Sequence, residues 1–155
     1  MKAVQTILVS SLFALVLATP TLGQEKKLQK SDLPAAVQKA VDEQSRGATV
    51  RGFSTEKENG QTIYEAQLVV NGHNRDVSMD ATGNVLEVEE TVDFNSLPAP
   101  VQEGLKKKAG TGKITRVETL TKKGKLVAYE AGVQNGSKRS EIQVGPDGKP
   151  LAHEE

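Results

Sequence analysis

The sequence has 155 residues, with 20 basic and 20 acidic side chains and no cysteine. This length suits one ordinary domain or two very small ones. The balanced charge argues against a general nucleic-acid binder, which normally carries a basic excess. The missing cysteines exclude both disulfide bonds and a thiol nucleophile.

Residues 1–23 have the three-part layout of a secretory signal peptide. Lys2 gives a basic start, residues 7–17 are almost all apolar, and Thr21 and Gly23 place small side chains at the two positions that a signal peptidase reads. The alternative is an uncleaved anchor, but the apolar stretch is short for a membrane span of ~20 residues. We therefore expect a secreted or periplasmic protein without stable membrane insertion after cleavage, and a flexible mature N-terminus at 24–30.

The rest of the chain contains two segments that resemble each other. Residues 33–38 recur with one change at 97–102, and the Tyr-Glu-Ala triplet that starts at Tyr64 recurs at Tyr129. The matches keep their order at an offset of 64 or 65 residues, which is the signature of a tandem repeat. We predict two modules, at 31–92 and 93–155.

Each module is predicted to consist of one helix followed by four strands. Ser31-Asp32 and Asn95-Ser96 provide capping side chains before a proline in the first helical turn. Apolar residues then follow helical spacing, and Asn-Gly pairs such as Asn71-Gly72 mark hairpins. The predicted strands are 49–57, 62–70, 73–79 and 85–92 in the first module, and 113–121, 125–134, 138–144 and 150–154 in the second.

Alternation within the strands predicts one covered and one polar sheet face. Tyr64, Ala66 and Leu68 fall on one side of a strand, whereas Glu65 and Gln67 fall on the other. The sequence therefore predicts an α+β fold of two tandem modules, each with one helix packed on a four-stranded antiparallel sheet. The polar face of each sheet is left open for a partner.

The order of these elements resembles the PepSY domain family. That family carries an aromatic-Glu pair on a strand, matched here by Tyr64-Glu65, and a final segment of the form Asp-Ala-x-Thr-Gly-x-Val-Leu, matched by residues 80–86. The second copy keeps the turn at 145–151 but lacks the Asp-Ala start. The pairing of two copies is similar to the beta-lactamase inhibitory protein-like group, in which two modules join into one extended sheet.

This resemblance implies a function in binding. PepSY domains occur in propeptides of secreted metalloproteases and in cell-envelope proteins, and a role in inhibiting or regulating secreted peptidases is proposed for the family. The resemblance therefore implies another protein, a peptidase or an envelope protein, as the partner. The matched residues mostly make the fold, and fold alone does not determine function.

The residue types that catalysis requires do not come together in the sequence. His73 follows a hairpin turn and His153 lies among the last three residues, so neither predicts a Ser-His-acid triad or a zinc site. No phosphate-binding or dinucleotide motif occurs, and we expect no cofactor, no metal and no enzymatic activity. Residues 80–84 and 145–148 superficially resemble calcium loops, but both lack the oxygen alternation of such a loop and are interpreted as hairpin turns.

The candidate site consists of Glu65, Glu130, Arg75 and Arg139. Glu65 and Glu130 occupy equivalent outward positions in the two modules, with Arg75 and Arg139 expected nearby. A carboxylate pair can do acid–base work, whereas the simpler interpretation is that outward charges keep a half-exposed sheet soluble and discourage edge pairing. The remaining hypothesis is a binding site on a continuous polar sheet surface.

The sequence thus leads to one functional hypothesis and one alternative. The first is an exported, non-enzymatic binding protein that inhibits or regulates a secreted or envelope peptidase. The alternative is a ligand-sensing or structural envelope protein without inhibitory activity. Nucleic acid is not an expected partner.

Overall fold

The computed structural model describes residues 25–155, so the expected signal peptide lies outside the described residues. Two α-helices are present in this part of the chain, α1 at Ala35–Gln44 and α2 at Ala99–Ala109. The strands are β1 Lys26–Leu28, β2 Thr49–Glu58, β3 Gln61–Val70, β4 His73–Met79, β5 Val85–Thr91, β6 Lys113–Lys122, β7 Lys125–Asn135 and β8 Lys138–Val144.

All eight strands belong to one antiparallel sheet, in which they follow each other in chain order. The predicted fold class, two modules that each have their own four-stranded sheet, is therefore wrong. Strand β5 pairs with β6 from Glu87 opposite Lys122 to Thr91 opposite Glu118, and this ladder makes the sheet continuous. The pairing satisfies backbone groups that would otherwise be left open at the edges of two separate sheets.

The two ends of the sheet also differ from the prediction. Lys26–Leu28 forms a short strand against Phe53 to Thr55 of β2, which the sequence analysis did not predict. The predicted strand at 150–154 does not form, and these residues have no regular structure. The other seven predicted strands form within one residue of the predicted bounds. Five strands therefore precede α2 and three follow it.

Each helix covers its own group of buried residues on the sheet. Helix α1 places Val37 and Val41 against β3 and β4, and both side chains are almost completely buried. Helix α2 places Val101 and Leu105 against β6, β7 and β8 in the same way. The first group comprises Leu33, Val37, Val41, Ala66, Leu68, Val77 and Met79, and the second comprises Leu97, Val101, Leu105, Val117, Tyr129, Ala131 and Val144.

The helices begin without the side-chain caps that the sequence predicts. Pro34 and Pro98 are the residues before the first helical turn, and no side chain caps either helix there. Instead, a glutamine inside each helix reaches back: Gln38 Nε2 donates to Leu33 O and Gln102 Nε2 donates to Leu97 O, each at 2.9 Å. Orphan backbone carbonyls before the helices are satisfied in this way.

Candidate binding face

Both helices lie on the same side of the sheet. Residues directly opposite each other on neighbouring strands point to the same side, and Val77 lies opposite Val88, which lies opposite Thr121. This row belongs to the side that holds both buried groups. The other side, which neither helix covers, is named the open face here. Its six central carboxylates, named the carboxylate cluster, are Glu65, Asp76, Glu87, Glu89, Glu118 and Glu130.

Glu65 lies in the first part of the open face, between Ser54 of β2 and Ser78 of β4. Its carboxylate accepts a hydrogen bond from Gln67 Nε2 at 2.9 Å. Burial raises the pKa of Glu65, and the hydrogen bond from Gln67 opposes this increase. The carboxylate is thus half-buried and held in place, although no cation lies within 4 Å of it among the described residues.

Glu130 lies on β7, opposite Glu118 on one side and Gln143 on the other. It accepts a hydrogen bond from Gln143 Nε2 at 2.8 Å. Two carboxylates directly opposite each other repel, and Arg116 compensates: its Nε is 3.0 Å from Glu118 Oε2 and its Nη2 is 4.0 Å from Glu130 Oε1. Burial still raises the pKa of Glu118, and Arg116 opposes the increase.

Glu89 occupies the centre of the cluster on β5. It lies opposite Asp76 of β4 and Leu120 of β6, so it has a carboxylate on one side and an apolar residue on the other. Burial, followed by the negative charges of Glu87 and Glu118, raises the pKa of Glu89 to about 7. Burial also raises the pKa of Asp76, against the effect of Arg116. The centre of the open face therefore has an excess of poorly compensated negative charge.

Arg139 lies on the open face near its β8 edge. It stands opposite Gln134 and lines a cavity of about 540 Å³. Arg116 lines the same cavity, and its Nη2 is 3.2 Å from Glu141 Oε1. Gly132 lies between Arg116 and Glu141 on the intervening strand and has no side chain to fill the cavity. The cavity therefore presents two guanidinium groups at the border of the acidic surface.

Arg75 lies on the other side of the sheet. Its cross-strand neighbours are Leu68, which is buried under α1, and Glu90. Arg75 Nε is 3.9 Å from Glu90 Oε2, and this buried nitrogen has no hydrogen-bond acceptor among the described residues. The structure thus brings Glu65, Glu130 and Arg139 to one face and places Arg75 on the helix-covered face.

The spacing of Glu65 and Glu130 bears on acid–base chemistry. Strands β3 and β7 are four strand positions apart, so at ~4.8 Å per position the two carboxylates are at least roughly 19 Å apart. Carboxylates that act on one bond lie at most ~10 Å apart. The pair is therefore too far apart to act together on a single bond, although both can contact one large partner.

Asp76 and Glu118 were not among the predicted site residues. The alternation of polar residues in β4 did indicate that Asp76 points outward. For Glu118, two pieces of information were missing: the pairing of β5 with β6, which places it opposite Thr91, and the register shift between Leu120 and Thr121 in the β6–β7 hairpin, beyond which it lies opposite Glu130. Its carboxylate accepts a hydrogen bond from Thr91 Oγ1 at 3.1 Å.

In the turn at 80–84, which superficially resembles a calcium loop, the carboxylate oxygens of Asp80 accept hydrogen bonds from the turn itself. Both oxygens of Asp80 accept hydrogen bonds from within the turn, including those from Thr82 N at 2.8 Å and Asn84 Nδ2 at 2.9 Å. Hydrogen bonds from Thr82 and Asn84 lower the pKa of Asp80 to about 2. Across residues 25–155, no group of three or more His, Cys, Asp or Glu side chains is arranged to hold a metal ion.

Comparisons with known proteins identify the fold. No protein-family model matches the chain, and no curated protein matches it. Among solved structures, a BLIP-like protein from Bacteroides fragilis has 21% identity and a TM-score of 0.59, over 77% of this chain and 83% of that chain. The chain therefore has a BLIP-like fold. Because no family model matches, the resemblance to PepSY domains stays a prediction.

Two further structures share this fold. A presumed periplasmic protein from Bacteroides eggerthii has 18% identity and a TM-score of 0.64, over 77% of this chain and 86% of that chain. A DUF2874 family protein from Bacteroides ovatus has 16% identity and a TM-score of 0.62, over 77% of this chain and 84% of that chain.

In residues 25–155, neither helix is long and apolar enough to cross a membrane.

Proposed function

We propose that this chain is an exported, non-enzymatic protein that binds another protein through the open face of its sheet. The observation that carries the proposal is the arrangement of the sheet: both helices cover one side, and the other side presents six carboxylates, of which Glu118 is buried and five are half-buried. A continuous face of eight strands offers the area that a specific protein interface needs, about 800 Å² per partner.

The proposed partner is a secreted or envelope protein, with a peptidase as the first class to test. The fold likeness to a BLIP-like protein and to a presumed periplasmic protein supports an exported binding protein. The layout of residues 1–23, which is typical of a signal peptide, supports export independently. The function stated for one protein of a fold does not transfer automatically, so the site itself has to be tested.

The charge of the open face defines the chemistry of the partner surface. Glu65 and Glu89 have raised pKa values because they are buried without sufficient positive charge nearby. A lysine or arginine side chain from a partner would supply that charge and stabilise the ionised carboxylates. The partner is therefore expected to present a basic surface, and its binding is expected to weaken as salt concentration rises.

The test uses the chain from Gln24 onward as bait for envelope and secreted fractions of a host cell. The open-face variant is Glu65→Gln/Glu130→Gln, which removes two negative charges with little change in shape. The matched control is Glu43→Gln/Glu103→Gln, which makes the same charge change at exposed positions on α1 and α2. Each captured protein is then purified and its affinity for the three forms is measured.

The expected result is a protein that binds the native chain and the helix variant alike and binds the open-face variant at least ~10-fold more weakly. If that protein is a peptidase, its activity is measured with and without the bait. Equal affinity for both variants would place the interface elsewhere. Failure of the native chain to bind any protein would contradict the proposal.

The cavity beside Arg116 and Arg139 favours a second candidate function, the sensing of a small ligand. Its volume of about 540 Å³ falls within the ~300–1,000 Å³ of ordinary ligand pockets, and two guanidinium groups line it. Arg116 is already paired with Glu118 and Glu141, so a small ligand with a single carboxylate, bound by Arg139, fits this chemistry. Such ligands should raise the melting temperature of the native chain and leave that of Arg139→Gln unchanged; no change in either would argue against this candidate.

A further inference from the structure

The last residues of the chain cross from one side of the sheet to the other. Lys108 Nζ on α2 donates to Gln143 O at 3.0 Å and lies 3.6 Å from Glu154 Oε1. The next residue, Glu155, donates its backbone N–H to Gln143 Oε1 at 2.8 Å, and its Oε2 lies 3.6 Å from Lys122 Nζ. Residues 151–155, named the tail here, therefore pass around β8 and end on the open face.

Two apolar residues of the open face are buried at the place that the tail reaches. Leu120 is 3% exposed and Ala128 is 0% exposed, although neither helix covers this side. The two lie opposite each other in one row across β6 and β7. On either side of that row stand the rows that contain Gln143 and Lys122. Because Glu155 contacts both Gln143 and Lys122, it spans the row of Leu120 and Ala128.

The contacts of the tail are weak enough to be exchanged. The ion pairs of Glu154 and Glu155 involve side chains that are 35–69% exposed, and such pairs contribute little to stability. Lys122 also lies 3.5 Å from Glu87 of the carboxylate cluster, so it keeps a partner when Glu155 leaves. The tail has a high effective concentration because it is attached to β8 by a short segment.

We propose that the tail is an autoinhibitory cover of the open face. It occupies the surface between Gln143 and Lys122 within the same molecule and has to leave before another protein can occupy that surface. The inference rests on the proposed function, since it describes how access to the same face is regulated. Weakening the tail contact increases the fraction of molecules with a free face, and apparent affinity for a partner rises with that fraction.

The first experiment tests the cover without any partner. A zero-length carbodiimide joins lysine amines to carboxylates in contact, and peptide mapping of the monomer then identifies the links. Lys122 should be linked to both Glu87 and Glu155, because the two distances are nearly the same, 3.5 and 3.6 Å. Glu155→Gln should remove the Lys122–Glu155 link, whereas Glu154→Gln should remove only the Lys108–Glu154 link.

Two results would overturn the cover. One is a Lys122–Glu87 link without a Lys122–Glu155 link in the same sample, which would show that the tail does not occupy this position in solution. The other is a Lys122–Glu155 link found only in cross-linked dimers, which would show that the tail binds a second copy.

The second experiment measures regulation with the partner that the bait captures. Glu155→Gln should increase the apparent affinity about two- to fivefold, which corresponds to the loss of one exposed ion pair, and Glu154→Gln should change it less. Equal affinity of native chain and Glu155→Gln would overturn the autoinhibitory role. If no form captures any protein, the proposed function fails, and the cross-links alone decide whether the tail covers the face.

Discussion

The turn after β4 and the turn after β8 are built alike but lead to different structures. In the first, Asp80 N donates to Asn84 O and Gly83 N donates to Asp80 O; in the second, Gly145 N donates to Lys149 O and Gly148 N to Gly145 O. Each turn also packs tightly against a helix. A Cβ on Gly83 would lie 2.6 Å from Ala36 O, and one on Gly148 would clash with Pro100 O.

The chain continues differently after each of the two turns. The first leads into β5, which begins at Val85 and is paired with β4 and β6. The second leads into Pro150 and the tail. Pro150 lacks a backbone N–H, and His153 replaces the β-branched Val88. A strand formed by the tail would be hydrogen-bonded to β8 alone, whereas β5 is hydrogen-bonded to a strand on each side. The comparison shows that a turn does not determine whether a strand comes after it.

The largest effects are expected when the core of each half of the sheet is damaged separately. Leu105 under α2 is 0% exposed and Val41 under α1 is 1% exposed. Leu105→Ala should lower the free energy of unfolding by about 2–5 kcal/mol, and Val41→Ala by about 1–3 kcal/mol because it removes fewer atoms. Urea unfolding followed by circular dichroism measures both.

The same experiment tests whether the halves are independent. Because β5 pairs with β6, we expect each variant to shift one common transition, followed equally well by any probe. A second transition that remains at the native midpoint would show that the β5–β6 ladder does not couple the halves. In that case the two halves of the sheet would unfold as independent units, although the sheet is continuous.

The junction of the two halves should respond to pH through Glu89. Its pKa is about 7 in the folded chain, above the ordinary value of 4.5. The folded state therefore holds a proton that the unfolded state releases. The stability that this group contributes is fully present below about pH 4.5 and is lost as pH rises through about 7. Glu65, Asp76, Glu87 and Glu118 shift in the same direction.

Glu89→Gln should therefore raise the free energy of unfolding by about 1–2 kcal/mol at pH 8 and by less at pH 5. Urea titrations at the two pH values measure the difference, and Glu103→Gln on the exposed side of α2 is the control. If Glu89→Gln and the native chain lose the same stability between pH 5 and pH 8, the centre of the carboxylate cluster is less buried than its position between Asp76 and Leu120 implies.

The sequence was sufficient for those parts of the fold that depend on neighbouring residues. The alternation around Tyr64 and Ala66 predicted the strand and its buried side, and the Asn71-Gly72 pair predicted the hairpin between β3 and β4. Alternation also places Arg75 on the side of Val77, so its position on the helix-covered face was available from the sequence and was overlooked.

The remaining features depend on contacts between distant segments. Nothing in the sequence near Glu87 or Lys122 indicates that these residues lie opposite each other. The prediction of two sheets failed for this reason, and the contact of Glu118 with Thr91 was missed for the same reason. The position of Glu118 opposite Glu130 depends instead on a register shift within the β6–β7 hairpin. The position of the tail likewise depends on Lys108 and Lys122, which are more than 30 residues away from it in the chain.

The variant with the smallest expected effect tests why β5 is a strand and the tail is not. The cause is either the local sequence or the presence of neighbouring strands. Pro150→Val/His153→Val gives the tail the residue types that β5 has at these positions. If local sequence is decisive, the tail should pair with β8 and protect its amides from hydrogen exchange, while the Lys122–Glu155 cross-link disappears. We expect this outcome, with an increase of about 0.5 kcal/mol in the free energy of unfolding, since differences in β-propensity are of that size. Amides that still exchange as in an unfolded peptide would mean that β5 forms because it has partners on both sides, β4 and β6, and that residue type alone does not extend the sheet beyond β8.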